Sequence, residues 1–376
     1  MSSRSPIRVT AVDEKSLIMH AARLDAEFVG RFVSSFGSTS ADVGSVATFC
    51  TIGFLSLFAY ESHARLRELE PQLASAIQVT TDTSDVMARS RHSLKLFEDT
   101  RRGIQGQLHY FGRTIIPTHE REFIGRVRVP FLRVLARDLG IYYYDGRPIA
   151  STHSASFAVG LNPESLFRGG STRLSKIAEE YGRYFAAWGA EHSEGATSFI
   201  TAMDPDLIGD KDVRSASEYA TRFNGRRTPQ LNALLGVFEA LINTADGLFS
   251  LDKSPESRQT LLKMRYLSVY QVLRSLKRLL EERPSELTRQ SMVYTGSIVN
   301  DRSAQLVFGP GSRAFRNSLM HYKPDRRIDL ARLSLAETHY GLIQLCYSLD
   351  VEAFEEALSS LISETALTMH AWSSKE

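Results

Sequence analysis

Gly309-Pro310-Gly311-Ser312-Arg313-Ala314-Phe315-Arg316-Asn317-Ser318-Leu319-Met320-His321-Tyr322-Lys323-Pro324 is the stretch on which the reading of this chain turns. Gly309-Pro310-Gly311 breaks whatever precedes it, Ser312 can cap a helix and Pro324 closes one, so a short helix is expected between two breaks. At about 100° per residue, Phe315, Leu319 and Tyr322 lie within about 60° of one another and form its apolar face. Arg313, Arg316, Asn317, Met320 and His321 fall on the other half. Arg316 and His321 stand about 140° apart and flank Asn317. Two such helices facing each other would converge these groups better than one. That points to a composite site at a dimer interface, with an exposed Met320 in the contact.

A histidine moves protons near neutral pH and an arginine holds a phosphate. Together they are a minimal outfit for cutting RNA without a metal. The spacing alone is weak: with 10 His in the chain and a few dozen arginines, about one Arg-x4-His pair arises by chance. A polar outer half is also what any surface helix shows. The pair gains weight from the adjacent Asn317, the aromatic Tyr322 after the histidine, and its place on a short helix behind two long ones.

Those neighbours are clearly punctuated. Thr228-Pro229 is a cap followed by proline at the first helical position, with helix to about Asn243. Ser254-Pro255-Glu256 opens a longer helix through Leu261, Leu262, Leu273, Leu276 and Leu280, closed by Pro284. Residues 291–308 carry β-prone runs around Asn300-Asp301 and read as a hairpin inserted between helices. Ser334-Leu335-Ala336-Glu337 is a capping box for a helix to about Leu349. Asp350 can cap a last helix with Val351, Phe354, Leu358, Leu361 and Ile362 on one face. Two long helices, a short one and two more make a helical bundle over 228–376.

With that order in place, Arg316-Asn317-x-x-x-His321, flanked by Phe315, Tyr322 and Lys323, resembles the Arg-x4-His signature of HEPN (higher eukaryotes and prokaryotes nucleotide-binding) domains. The resemblance covers one short motif and the helix order of about 228–368. It implies a bundle of HEPN type, usually a homodimer, and in many members a metal-independent ribonuclease of toxin–antitoxin, antiphage-defence or RNA-processing systems, with a cognate inhibitor or activator protein as a further partner. His321 would then be the general base or acid in attack of a ribose 2′-hydroxyl on the adjacent phosphate. Arg316 would stabilise charge on the phosphoryl oxygens. Asn317 would orient either group, Tyr322 and Lys323 would support them, and Arg313, Arg326 and Arg327 would track the RNA backbone. DNA, lacking the nucleophile, would be inert. The other reading is a non-catalytic helical scaffold or regulator that binds nucleotide, RNA or a protein partner through the same face.

Residues 1–227 resemble no family. They read as a larger helical region with minor β-hairpins. An amphipathic helix is expected over 15–36, and another over about 83–102. Val43 to Tyr60 is 18 residues without a charge, bounded by Asp42 and Glu61. That reaches membrane-spanning length, but its glycines, serines and threonines and its lack of anchors on both sides favour a helix buried in protein. Tyr142-Tyr143-Tyr144, Asp145-Gly146 and Arg147-Pro148-Ile149 signal a hairpin with Pro148 on an edge strand. Residues 173–190 return to a helical pattern.

Bulk composition describes an ordinary folded chain: 376 residues, 43% hydrophobic, 23% charged, net charge +2. Cys50 and Cys346 alone cannot build a disulfide framework or a thiolate cluster, which favours a reducing cytoplasm. Met1 to Val12 lacks the apolar core of a secretion signal. Asp204 to Asp212 resembles the start of a calcium loop, with Gly209 at the sixth position, but Ile208 and Ser215 stand where ligands are needed. It reads as an acidic turn. His109, His119 and His153 lack metal-ligand spacing and read as scattered surface residues, so no metal or cofactor is expected. Nothing matches a P-loop, a nucleophile elbow or an H-E-x-x-H helix.

Overall fold

The computed structural model describes residues 13–374 apart from 78, 129–132, 134, 160–169, 190–194 and 226–227. The Met1–Val12 segment and Pro130 lie outside the described residues. The chain is mostly α, with one small sheet.

Helix α1 (Glu14–Ser34) starts where the Asp13 carboxylate accepts the Ser16 amide at 2.8 Å, and it buries Leu17, Ile18, Phe28, Val29 and Phe32. Helix α2 (Ala41–Leu69), capped by Ser40 and stopped before Pro71, contains the whole uncharged stretch. Among the described residues it is the one helix long and apolar enough to cross a membrane. Here Val43, Val46, Ala47, Phe54, Leu57, Phe58 and Ala59 are buried against protein. Helix α3 (Thr81–Ser93) packs along α2. It stops earlier than the sequence suggests, because Leu96 takes a left-handed conformation (φ 49°) and turns the chain.

Strands β1 (Leu139–Tyr144) and β2 (Arg147–Ser151) form the expected hairpin. Asp145 and Gly146 both take positive φ, the geometry of a two-residue turn that matches strand twist. Strand β3 (Ile208–Val213) pairs antiparallel on the other side of β1, giving the order β2-β1-β3. The calcium-like segment is thus largely a strand. Pro148 sits on an edge as expected, and its carbonyl accepts Asn243 Nδ2 at 2.9 Å. Helices α4 (Thr152–Val159) and α5 (Gly170–Ala187) follow the hairpin along the chain.

In the C-terminal part, α6 (Pro229–Asn243) and the 28-residue α7 (Pro255–Glu282) start at the expected prolines, α6 runs to the expected Asn243 and α7 ends before Pro284. No hairpin follows. Residues 289–299 form α8 (Arg289–Val299), with Thr288 accepting the Ser291 amide at 3.1 Å. Trp372 Nε1 donates to Ser291 Oγ at 3.3 Å, and Ile298 and Val299 are buried. One buried face and a good cap outweigh β-propensity here. Helix α9 (Ser312–His321) is the motif helix. The Ser334 capping box is only a turn. His339, Tyr340 and Gly341 run left-handed, and α10 (Leu342–Tyr347) starts after them. Helix α11 (Val351–Ser373) is capped by Asp350 and buries its expected face.

One contiguous cluster of buried apolar side chains runs from Leu17 to Trp372. Helix α1 packs on α7, and α2 on α9, so this core is shared by the two parts of the chain. Two of the histidines read as surface residues are in fact core. His119 and His153 are stacked edge-on with ring centroids 4.4 Å apart, and they contact Ser156 Oγ and Tyr219 OH, each at 2.9 Å. Burial pushes His119 down to about 4.

Candidate active site

The wheel places the apolar face of α9 correctly: Phe315, Leu319 and Tyr322 are all buried. It misplaces Met320, which is 1% exposed and receives Gln271 Nε2 at its sulfur (3.8 Å). The reason is tertiary. Helix α9 packs against α7, α10 and α2, so part of its polar half is covered as well.

His321 at the end of α9 is met by α2. Its Nδ1 lies 2.9 Å from Glu61 Oε2, and Arg91 of α3 pairs with the other carboxylate oxygen. Glu61 is 3% exposed and His321 36%. Burial drives the Glu61 carboxyl up, but the His321 hydrogen bond and the Arg91 charge outweigh it and hold it below its ordinary value. An ionised Glu61 can only accept, so Nδ1 carries the proton. In its neutral form His321 presents the lone pair of Nε2, which makes no hydrogen bond among the described residues. A buried carboxylate thus fixes ring orientation and tautomer, as a general base requires.

Arg316 points elsewhere along the same face. Its Nη1 donates to Asn317 Oδ1 at 3.0 Å and its guanidinium sits 5.7 Å from the Tyr270 ring centroid. Asn317 Nδ2 donates to Asp325 Oδ2 at 3.0 Å. Asn317 therefore orients the arginine, not the histidine. Arg316 is half-buried, its Nε has no partner, and among the described residues no carboxylate forms an ion pair with it, although the charge of Glu98 bears on it. Burial, with the Arg91 charge nearby, lowers its affinity for its proton, yet an arginine stays charged.

The supporting residues divide. The Tyr322 hydroxyl donates to buried Asp25, so it belongs to the core. Lys323 pairs with Glu14 Oε1 at 2.7 Å, and Arg327 chelates Asp325. Arg313 and Arg326 are exposed.

Sequence reading missed three residues: Glu61, Arg91 and Lys95. A signal existed for two of them. Glu61 continues the buried stripe of Phe54, Leu57 and Phe58 on α2, and Arg91 lies one turn after buried Met87 on α3. A charge at a core position calls for a partner. The half-buried Lys95, just past the end of α3, makes no ion pair among the described residues. Burial, followed by the charges of Arg91 and Arg316 and opposed by Asp99 and Glu61, pushes its ammonium down to about 8. Among the described residues no three His, Cys, Asp or Glu side chains gather as metal ligands.

Comparison of the chain with protein-family models, with curated proteins and with solved structures found no match.

Proposed function

We propose that this chain is a metal-independent endoribonuclease of HEPN type whose site joins His321 and Arg316 to Glu61 and Arg91 of the N-terminal helices. The observation that carries it is the Glu61–His321 contact at 2.9 Å, which holds one ring nitrogen and leaves the other toward solvent. His321 Nε2 takes the proton of a ribose 2′-hydroxyl, and the 2′-oxygen attacks the adjacent phosphorus. The bond from phosphorus to the 5′-oxygen breaks, and that oxygen takes a proton from water. The products are a 2′,3′-cyclic phosphate and a 5′-hydroxyl. Arg316 stabilises the negative charge on the phosphoryl oxygens.

Glu61 and Arg91 of the same chain hold His321, while convergence of Arg316 and His321 from two facing copies is proposed from the helix geometry. Homodimerisation, a cognate inhibitor or activator, a cytoplasmic setting and a toxin or antiphage role are proposals resting on the resemblance and on cysteine usage.

The test is incubation of wild type, Arg316→Ala and His321→Ala with total RNA in EDTA, with the cut ends mapped. Cleavage by wild type alone, leaving cyclic phosphates, supports the reading. Cleavage that persists in His321→Ala sinks it. RNA binding without turnover by wild type would favour the non-catalytic scaffold, which uses the same cations.

A further inference from the structure

Asp42, Ser45 and Phe49 stand at i, i+3 and i+7, so they share one face of the first turns of α2. Asp210 on β3 is the cross-strand partner of Tyr142 on β1, which puts both side chains on one face of the sheet. The two faces meet at their rings: the centroids of Phe49 and Tyr142 lie 6.0 Å apart, with the planes tilted by 40°. Between these walls and Pro205 lies a cleft of about 660 Å³, lined by Asp42, Ser45, Phe49, Tyr142 and Asp210. That is the size of a small-molecule site. The third wall is fixed, because the Tyr144 hydroxyl accepts the Asp204 amide at 3.2 Å and the Leu207 carbonyl accepts the Asp145 amide at 2.9 Å.

Each carboxylate has an ordinary local reason to be there. An acid in the first turn of a helix meets the positive end of the dipole, and a charge guards an edge strand. Neither reason accounts for the rings, of which Phe49 is 36% exposed at the cleft wall. Asp42 and Asp210 form no ion pair among the described residues. Lys211, beside Asp210 in sequence, is the cross-strand partner of buried Ile141 and so lies on the other face of the sheet. The cleft therefore carries net negative charge on two facing walls, with aromatic surface between them.

We propose that this cleft binds an organic polyamine. Such a ligand alternates ammonium groups with methylene segments. Its ammonium groups pair with Asp42 on the helix wall and Asp210 on the sheet wall, while the methylenes and a further ammonium lie against Phe49 and Tyr142. A metal ion needs a denser set of ligands, and among the described residues no three His, Cys, Asp or Glu side chains gather. The site does not rest on the ribonuclease reading, since it uses none of the residues assigned to that reaction.

The test is calorimetry of the full chain with spermidine, in excess magnesium chloride and at several salt concentrations. Wild type binds saturably at one site. Asp42→Asn and Asp210→Asn each weaken binding about 10-fold, the scale of a lost charge-assisted contact. Phe49→Leu, which keeps an apolar side chain but removes the π face, weakens it about 3-fold. Carbodiimide treatment of the complex joins a spermidine nitrogen to a carboxyl carbon as an amide, the carbodiimide leaving as a urea with the carboxyl oxygen. Peptide mapping places that amide on Asp42 or Asp210. No saturable binding by wild type overturns the site, as do equal binding by the three variants and coupling confined to other carboxylates. Binding abolished by magnesium reassigns the charges to diffuse counter-ions and also overturns it. Tighter binding of a tetralysine peptide than of spermidine gives the cleft to a basic protein segment and overturns the polyamine assignment.

Discussion

Glu61 Oε2 and His321 Nδ1 are 2.9 Å apart although 260 positions separate them in the chain. The contact joins the second helix of the molecule to the motif helix, and Arg91 completes it from a third. Each of the three groups would be costly to bury alone. Together they form a chain of charge-assisted contacts that ends at a half-exposed imidazole.

Replacing Glu61 with glutamine keeps the shape but lets the side-chain amide donate to Nδ1, which moves the imidazole proton to Nε2 and removes the base. RNA cleavage is expected to fall by about 10²-fold or more, the range of general-base effects. Nitrogen-15 NMR of His321 should show the change of tautomer. An unchanged tautomer with unchanged activity would make Glu61 a purely structural anchor.

The same carboxyl should mark the acid limb of stability. Glu61 sits below its ordinary value of 4.5 in the folded chain. A carboxyl lowered on folding adds stability above its unfolded value and loses it as pH falls through the folded one. Stability to urea should therefore fall as the pH drops below about 4.5, and Glu61→Gln should flatten part of that slope. Equal slopes in the two proteins would contradict the ion-pair account.

Arg316 offers the opposite trade. It has no carboxylate partner among the described residues and a buried Nε without a partner, so removing its charge relieves desolvation. Arg316→Met is expected to leave stability within about 1 kcal/mol of wild type or to raise it, while cleavage falls about 10²- to 10³-fold. A strongly destabilised variant would show that the arginine serves packing instead.

Behind the motif helix, Asp25 accepts from Thr260 Oγ1 at 2.7 Å, from Lys263 Nζ at 2.6 Å and from the Tyr322 hydroxyl. The Lys263 ammonium also lies 3.9 Å from the Tyr322 ring centroid and 4.7 Å from that of Phe58. Lys263→Met should cost about 3–5 kcal/mol in denaturant unfolding by stranding Asp25, and the double variant Asp25→Asn, Lys263→Met should recover much of it. Additive losses would mean that the two charges do not act as a pair.

Gly311 sets the position of α9 against α10. A Cβ there would fall 1.9 Å from the Cys346 carbonyl oxygen, which is backbone and cannot swing aside. Gly311→Ala should lower stability by about 1–3 kcal/mol through overpacking and should also reduce cleavage by shifting α9. Wild-type melting of this variant would show that the helix junction is looser than the close approach implies.

Much of the architecture was legible in local signals. Thr228-Pro229, Ser254-Pro255, Pro284 and Asp350 mark helix ends that the fold uses, and Asp145-Gly146 turns the hairpin. These devices act through φ restriction and nearby hydrogen bonds, so they work wherever the segment lies. Local signals failed at 291–308 and at Ser334, where packing against α11 and three left-handed residues decided the outcome.

For the candidate site the division is sharper. The sequence by itself determined that Arg316, Asn317 and His321 share the polar half of one short helix with Phe315, Leu319 and Tyr322 behind them, because helical periodicity is a local property. Only the tertiary structure decided that Met320 is buried, that Asn317 holds Arg316 and not His321, and that Glu61, backed by Arg91, meets His321. Burial and pairing of a charged group depend on which helix lies across from it, and that is set by long-range packing of apolar faces that no local pattern records.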